Sequence, residues 1–311
     1  MPIENPPRRA IFAEIETVLH ALSIYGAAGI AAFGWAMGWL IGLPTAHWLP
    51  LWFCAALVIY NADRLRRDPA DTLNLPARTA ASARLRRASA VTLALAAFVL
   101  IGLPALRHEW TTLSCILGGA FISLGYSIPL LGFRWKDIPL LKSLFAPAII
   151  TVAIFILIFH TRIPLSYWRN SSHVDHHYRS AFLISLYLAP WAFLYLLFNM
   201  LLCDLRDRAG DAQCGIRSIP VVLGEKGTQR LLWTLAGGGQ LFLSYLTQVR
   251  IDRVLPFVLL SLLTGGYQLY LLHATQRPRS ERFYEWAVEG LLYLPALACV
   301  LSGAPLLSRG L

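Results

Sequence analysis

Three aspartates follow a long apolar run in the segment FNMLLCDLRDRAGDAQCGIRSIPVVLG. Asp204, Asp207 and Asp211 are spaced i, i+3 and i+7, so on a helix all three lie on one face. A face with three like charges calls for a cation, and oxygen ligands without histidine or cysteine suit a hard ion such as Mg²⁺ or Mn²⁺. The spacing therefore indicates a divalent-cation site. The alternative is a solvated helix end, where the acids pair with the arginines that surround them in the sequence.

Two further polar segments follow apolar runs elsewhere in the chain. The first, IYNADRLRRDPAD, supplies Asn61, Asp63, Asp68 and Asp71. The second, LGYSIPLLGFRWKDIPLLKS, supplies Tyr126, Arg134, Lys136 and Lys142. A magnesium diphosphate site requires carboxylates that hold the metal and cations that neutralise the phosphate oxygens. The three segments together predict such a site.

These segments are polar exceptions in a strongly apolar chain. Of its 311 residues, 57% are hydrophobic and only 14% are charged, whereas soluble domains contain roughly 25% charged residues. Apolar stretches of about 20 residues, the length that crosses a bilayer core, recur along the chain. We therefore expect residues 1–311 to form one all-α, polytopic membrane domain, a helix bundle with about nine transmembrane helices. The stretches are 18–43, 48–61, 88–107, 110–132, 138–160, 180–203, 231–248, 254–273 and 286–307.

Basic residues are distributed unevenly between the two ends of these helices. Most of the 27 Lys and Arg fall at the N-terminus and in the loops after the even-numbered helices, which the positive-inside rule makes cytoplasmic. The three polar segments share that side, so we expect an active site that faces the cytoplasm, at the inner membrane in a bacterium. Residues 1–17 are then a cytoplasmic N-terminal segment. The net charge of +10 fits contact with anionic membrane lipids, and we expect no nucleic acid partner.

The segment DLRDRAGDAQCGIRSIPVVLG carries a resemblance to a known family. Its DxxDxxxD spacing and the residues from Gly215 to Gly224 resemble the second aspartate-rich motif of the UbiA superfamily of intramembrane prenyltransferases. The resemblance extends over nearly the whole chain. It implies nine helices around a central cavity, capped on the cytoplasmic side by short loop helices. The implied reaction is Mg²⁺-dependent transfer of a prenyl group from an allylic prenyl diphosphate to a hydrophobic acceptor, aromatic or lipid-like.

The first acidic segment departs from the family pattern. The family usually has NDxxDxxxD, whereas this chain has N-A-D-R-L-R-R-D from Asn61 onwards. We expect Asp63, which matches the ADR of the family, to be the principal metal ligand of the segment. Pro69 disfavours helical geometry at Asp68, so Asp68 must reach the site from a bent loop. Asp71 is a further candidate.

The resemblance also assigns a role to each candidate residue. The metal ligands are Asp63, Asp68, Asp204, Asp207 and Asp211. The catalytic residues are Asp63, Asp204, Asp207 and Lys136. The substrate-binding residues are Asn61, Tyr126, Lys142, Arg64 and Arg208. Two Mg²⁺ ions would stabilise the departing diphosphate while an apolar cavity excludes water from the allylic cation.

Three other functions are compatible with parts of the pattern. A terpene cyclase of the same superfamily would quench the cation within its own prenyl chain. A transporter or cation-binding protein would carry its acids near the bilayer midplane, whereas these acids lie at helix ends. A non-catalytic relative that binds a prenyl diphosphate fits the irregular first segment.

Overall fold

The computed structural model describes residues 8–43, 45–66, 68–129, 132–160, 176–249 and 254–304, and the regular elements within these ranges are all helical. In chain order the helices are α1 Arg8–Ala21, α2 Ile24–Ile41, α3 Leu49–Arg66, α4 Pro69–Asn74, α5 Pro76–Arg84, α6 Arg86–Leu106, α7 Trp110–Ser127, α8 Leu141–His160, α9 His176–Gln213, α10 Ile219–Val249, α11 Val254–Ala274 and α12 Glu281–Leu301. Short 3₁₀ turns at Ala46–Trp48 and Trp135–Asp137 precede α3 and α8. The predicted all-α bundle is confirmed.

The long helices contact one another in a closed order. Within the described ranges, α2, α3, α6, α7, α8, α9, α10, α11 and α12 each pack against the next, and α12 packs back against α2. Six of them are long and apolar enough to cross a membrane, namely α2, α6, α8, α9, α11 and α12. The chain is thus an integral, multi-pass membrane protein, while the number of nine spans remains a prediction.

Helix α2 is the most enclosed of these six helices. In its apolar window 72% of the residues are buried, against 22% in α6, whose Phe98 and Leu106 are exposed as lipid-facing residues are. Small residues let the neighbours of α2 approach its backbone closely. A β-carbon on Gly34 would lie 2.7 Å from the Trp52 ring of α3. The glycine therefore sets how closely α2 and α3 pack.

Helix α12 is irregular where it faces its neighbours. Residues Tyr284–Val288 form a π turn and Leu291–Tyr293 a 3₁₀ turn, which interrupts the regular i→i+4 bonding. Backbone carbonyls in an apolar bundle need donors, and side chains from α2, α9 and α11 supply them. Tyr25, Tyr267, Asn199 and Tyr195 donate to the carbonyl oxygens of Trp286, Ala287, Val288 and Leu291, at 3.4, 2.9, 2.6 and 2.7 Å respectively.

Short helices cover the end of the bundle where the acidic segments lie. Helix α4 packs against α9, and α5 packs against α1 and α3. The 3₁₀ turn at Trp135–Asp137 packs against α7 and α8. Helix α1 occupies much of the predicted N-terminal segment 1–17, of which residues 1–7 lie outside the described ranges. The three polar segments are thereby held against one end of the helix ring.

Candidate active site

The second acidic segment lies on the last turns of α9, as its spacing predicted. The helix runs through all three aspartates and ends just beyond Asp211. Gly215 adopts a φ of 74°, and the amide of Ile216 donates to the Asp211 carbonyl oxygen at 2.8 Å. The amide of Gly215 donates to the Ala212 carbonyl oxygen at 3.2 Å, so the two bonds form a Schellman motif. The family-like glycine thus ends the helix that displays the acids.

Lys142 bridges two of these acids. Its Nζ lies 2.6 Å from Asp211 Oδ2 and 3.6 Å from Asp204 Oδ1. Both carboxylates are almost completely buried. Ser143 Oγ donates to Asp204 Oδ2 at 2.5 Å and accepts from the amide of Ile219 at 3.0 Å. The start of α8 is therefore fixed to both the end of α9 and the start of α10.

Asn74 of α4 contributes to the same cluster, a role that its sequence position did not indicate. Its side-chain Oδ1 accepts from the Gly210 amide at 3.0 Å, and its Nδ2 donates to Asp211 Oδ1 at 3.5 Å. Only glycine leaves room for this approach, because a β-carbon on Gly210 would collide with the Asn74 amide. In the sequence, Gly210 in the segment RAGD was the feature that could have indicated this close approach.

Asp68 forms the N-cap of α4, outside helical geometry as Pro69 predicted. Its φ and ψ are −68° and 134°, and its side chain accepts from the Ala70 amide at 3.0 Å. Two cations bind the same carboxylate, Lys136 Nζ at 2.5 Å and Arg134 Nη1 at 2.9 Å. Burial alone would raise the pKa of Asp68, but the bonds to these cations outweigh it and lower the pKa below its usual value.

Tyr126 lies where the two acidic groups meet. It is within electrostatic reach of Asp63 and Asp71 from the first segment and of Asp204 and Asp211 from the second. Its ring stacks on the Phe145 ring of α8 with centroids 5.0 Å apart. Lys136 Nζ lies 5.8 Å from the Tyr126 ring centroid. The tyrosine and the lysine that the sequence singled out are thus neighbours in the structure.

Asp71 and Asp63 are also neighbours. Burial, followed by the charge of Asp63, raises the pKa of Asp71 above its usual value. Both side chains are half-buried. The charges of Arg78 and Lys136 act on Asp71 in the opposite direction, so cations of the chain itself also lie near it. The structure therefore brings Asp71, which the sequence left as a further candidate, into the cluster with Asp63.

Asp207 and Arg208 have partners of their own. Asp207 accepts two bonds from the adjacent Arg206, at 2.7 and 3.0 Å, so the alternative of acids paired with nearby arginines holds for this residue. Asp207 still lies within electrostatic reach of Lys142. Arg208 Nη2 lies 3.7 Å from Glu225 on the exposed surface between α9 and α10. The structure does not bring Arg208 to the acidic cluster.

Asn61 and Arg64 bond to the backbone where α1 meets α2. Asn61 Nδ2 donates to the carbonyl oxygens of Leu22 and Leu57, at 3.0 and 2.9 Å. Arg64 donates to the carbonyl oxygen of His20. Arg64 lines a cleft with residues of α4, α5 and α6. These two residues connect α3 to the junction of α1 and α2, whereas Lys142 lies against α9 and Lys136 against the start of α4.

The donor groups fit a magnesium ion that is bound together with phosphate. Within the described ranges, no three His, Cys, Asp or Glu side chains are placed closely enough to hold a metal ion by themselves. The candidate donors are carboxylates, which suit Mg²⁺, and Mg²⁺ in phosphate sites commonly takes only one or two of them. The candidate pairs are Asp63 with Asp71 and Asp204 with Asp211.

Comparisons with known proteins agree with the arrangement of the helices. The family described as "UbiA prenyltransferase family" matches residues 67–292, a range that begins after Asn61, Asp63 and Arg64. The fold is similar to a solved structure described as a UbiA homolog from Archaeoglobus fulgidus bound to GPP and Mg2+. The TM-score is 0.60, with 14% sequence identity over 92% of this chain and 99% of that chain. No curated protein matches the sequence.

Proposed function

The chain belongs to the UbiA prenyltransferase family, and from that premise we propose that it transfers a prenyl group from an allylic prenyl diphosphate to a hydrophobic acceptor in the membrane. The reaction requires Mg²⁺, for which Mn²⁺ can substitute. The observation that carries the proposal is the position of Lys142 between Asp204 and Asp211, at the end of the bundle that also holds Lys136. A mixed cluster of carboxylates and ammonium groups suits a metal diphosphate.

The chain's own side chains account for diphosphate binding. Lys142 and Lys136 each carry three N–H donors, which bind phosphate oxygens once the carboxylates that hold them are neutralised in another way. Asp63 and Asp71, and Asp204 and Asp211, would each hold a divalent ion, and ions bound there would supply that neutralisation and draw charge from the leaving diphosphate. The lysines then stabilise the negative charge that develops as the bond between prenyl C1 and oxygen breaks.

We assign Asp68 and Asp207 mainly to the positioning of cations. Asp68 holds Lys136 and Arg134 at ion-pair distance, and so fixes the loop before α8 over the site. Asp207 holds Arg206 at the side of α9 that faces α12. Asp207 also remains close enough to Lys142 to join the metal ligands. Asp68 therefore affects the reaction through Lys136, which contacts the diphosphate.

A reconstitution experiment tests the proposed function. The full chain, in lipid nanodiscs with geranyl diphosphate and Mg²⁺, is incubated with and without a membrane extract, and products are identified by mass spectrometry. We expect metal-dependent binding of geranyl diphosphate and a prenylated product that appears only with the extract. EDTA should abolish both, and added Mg²⁺ should restore them. Cyclised hydrocarbon formed without any extract would instead indicate a cyclase, and metal-independent binding would contradict the proposal.

A further inference from the structure

A cleft that is rich in arginine lies beside the candidate active site, at the same end of the bundle. It is lined by residues of α3, α4, α5 and α6. Arg64 of α3, Arg78 of α5 and Arg86 of α6 bring three positive charges to it, and Asp71 of α4 is the one acid among its described lining residues. Like charges that are gathered from three helices repel one another, so the cleft attracts an anion.

Contacts within the protein leave these three charges without close counter-charges. Arg64 donates to the carbonyl oxygen of His20. The charge of Arg78 acts on Asp71 and on two glutamates of α12. None of the ion pairs between residues that the structure describes includes any of the three arginines. Their guanidinium groups therefore have donors available for a ligand.

Ser89 adds an uncharged donor to the cleft. It lies one turn beyond Arg86 on α6, and it belongs to the cleft lining. Its side chain is only 1% exposed, and its Oγ forms no hydrogen bond within the described part of the protein. Buried hydroxyl groups normally have a hydrogen-bond partner. An anion in the cleft can accept from Ser89 and from the arginines together.

The cleft lies where a predicted membrane span begins. Helix α6 is long and apolar enough to cross a bilayer, and only 22% of its apolar window is buried. Leu95 and Phe98 of this helix are exposed, as lipid-facing residues are. Arg86 and Ser89 occupy its first turn, which is the level of the lipid headgroups. A lipid can therefore place its phosphate in the cleft while its chains remain in the bilayer beside α6.

We propose that this cleft binds the headgroup phosphate of an anionic phospholipid. Guanidinium groups suit a phosphate because their N–H donors match two of its oxygens at once. Basic pockets between membrane helices bind the headgroups of anionic lipids in other proteins. A zwitterionic lipid fits less well, since the arginines repel its ammonium group. The inference goes beyond the proposed prenyl transfer and does not depend on it.

The bound headgroup also connects α5 to the bundle. Helix α5, which the structure describes completely, has no fully buried residue. Its first two amides, those of Ala77 and Arg78, donate to the Glu281 carboxylate at 3.3 and 3.2 Å. A phosphate held between Arg78 and Arg86 joins the middle of α5 to α6. Because the folded chain alone forms this site, the lipid stabilises the fold.

Lipid retention tests the proposal. The full chain is reconstituted in nanodiscs of equal phosphatidylglycerol and phosphatidylcholine, released into detergent, and the lipids that remain bound are counted by native mass spectrometry. We expect the wild type to retain phosphatidylglycerol over phosphatidylcholine by roughly tenfold, the effect of a hydrogen bond to a charged group. Arg86→Gln should lose most of this preference. Arg87→Gln is the matched control, because it removes the same charge from an exposed neighbour outside the cleft lining, and it should keep the preference.

Ser89→Ala separates lipid binding from folding. Removal of a buried hydroxyl group that has no partner in the protein should leave the unfolding midpoint in phosphatidylcholine nanodiscs unchanged or higher. The rise of that midpoint on addition of phosphatidylglycerol should nevertheless be smaller than in the wild type. A wild type that retains both lipids equally would overturn the proposal. So would equal losses in Arg86→Gln and Arg87→Gln, or a Ser89→Ala variant that responds to phosphatidylglycerol like the wild type.

Competition distinguishes the lipid from other sources of phosphate. Inorganic phosphate and geranyl diphosphate with Mg²⁺ are each added to the wild type before lipid retention is measured. We expect phosphatidylglycerol to remain bound in both cases. Displacement by inorganic phosphate would make a free anion the occupant, and displacement by geranyl diphosphate would make the cleft part of the donor site. Either result would overturn the proposal, whereas the proposed prenyl transfer is tested separately by donor binding and product formation.

Discussion

The ammonium group of Lys142 lies 2.6 Å from the Asp211 carboxylate, although α8 and α9 bring these residues together from 69 positions apart. Neither charge is stable alone in such a place, because an unpaired buried charge costs several kcal/mol. The pair therefore fixes the start of α8 against the end of α9. Replacement of Lys142 therefore tests what neutralises the charge of the acidic cluster.

Removal of this lysine should make the protein depend on metal for stability. Lys142→Gln leaves Asp204 and Asp211 without their cation and should reduce the free energy of unfolding by about 3 kcal/mol. Added Mg²⁺ should recover more stability in the variant than in the wild type, because the ion can replace the missing charge. Thermal unfolding in nanodiscs, with EDTA and with Mg²⁺, measures the difference. Equal responses to Mg²⁺ would mean that the ion does not bind these acids.

The second acidic segment should be essential for binding of the donor. Asp204→Asn should lower Mg²⁺-dependent binding of geranyl diphosphate by orders of magnitude, because a neutral amide cannot replace a carboxylate at a divalent ion. Arg208→Gln is the matched control, since its side chain pairs with Glu225 on the surface, and it should bind like the wild type. The assay is equilibrium binding of radiolabelled geranyl diphosphate. Strong binding by Asp204→Asn would instead support the alternative interpretation of this segment as a solvated helix end.

The first acidic segment should divide into metal ligands and a positioning residue. Asp63→Asn and Asp71→Asn should both weaken the dependence of donor binding on Mg²⁺, because these acids share one place. Asp68→Asn releases Lys136 and Arg134 and should weaken donor binding while the Mg²⁺ concentration for half-maximal binding stays nearly the same. Titration of Mg²⁺ at fixed geranyl diphosphate distinguishes the two effects. If Asp68→Asn shifted the Mg²⁺ requirement most, Asp68 would itself be the ligand.

The same acids predict opposite dependences of stability on pH. The folded pKa of Asp68 lies below its unfolded value, so Asp68 stabilises the fold above about pH 4 and loses this effect as the pH falls further. The pKa of Asp71 is raised, so stability is lost as the pH rises from about 4 through that value. Relative to the wild type, Asp68→Asn should therefore be less stable at pH 7 than at pH 3. Asp71→Asn should be more stable at pH 7 than at pH 3.

Unfolding midpoints at several pH values without metal provide this measurement. The two variants serve as controls for each other, because each removes one negative charge from the same short helix region. Parallel pH profiles for both would contradict the assigned directions.

The orientation of the site in the membrane can be tested by cysteine labelling. Ser82 on α5 lies at the end of the bundle that carries the site, and His108 lies at the opposite end, between α6 and α7. Single cysteines at these positions, in a background without the five native cysteines, should show opposite accessibility in intact cells. We expect His108→Cys to react with an impermeant reagent and Ser82→Cys to react only after lysis. The reverse result would place the site outside the cytoplasm.

Part of this arrangement could be predicted from the sequence because it depends on local geometry. The spacing of Asp204, Asp207 and Asp211 gives one helix face, and Pro69 removes Asp68 from the helix before it. Asn74 was missed because its partner Gly210 is 136 residues away, and no local pattern encodes such a contact. Arg208 was assigned to the substrate through the family resemblance, and only packing shows that it faces Glu225.

Glu289 illustrates a second limit of the sequence. It follows Glu281 and Glu285 at a spacing of four residues on an apolar helix, but its neighbours on α2, α3 and α9 are visible only once these helices pack around α12. The irregular turn before it was equally hidden, because the donors to its carbonyls come from three other helices. Chemistry that is distributed over several helices requires the tertiary structure to be recognised.

The contact between Asn74 and Asp211 can form only late in the synthesis of the chain. The two residues are 137 positions apart, and a ribosome adds 5–20 residues each second, so roughly ten seconds separate their synthesis. During that interval α4 emerges without the surface of α9 on which it docks. The half-built chain must hold Asp63 and Asp71 at the membrane surface without their later partners. Water at the membrane surface solvates these carboxylates until α9 arrives.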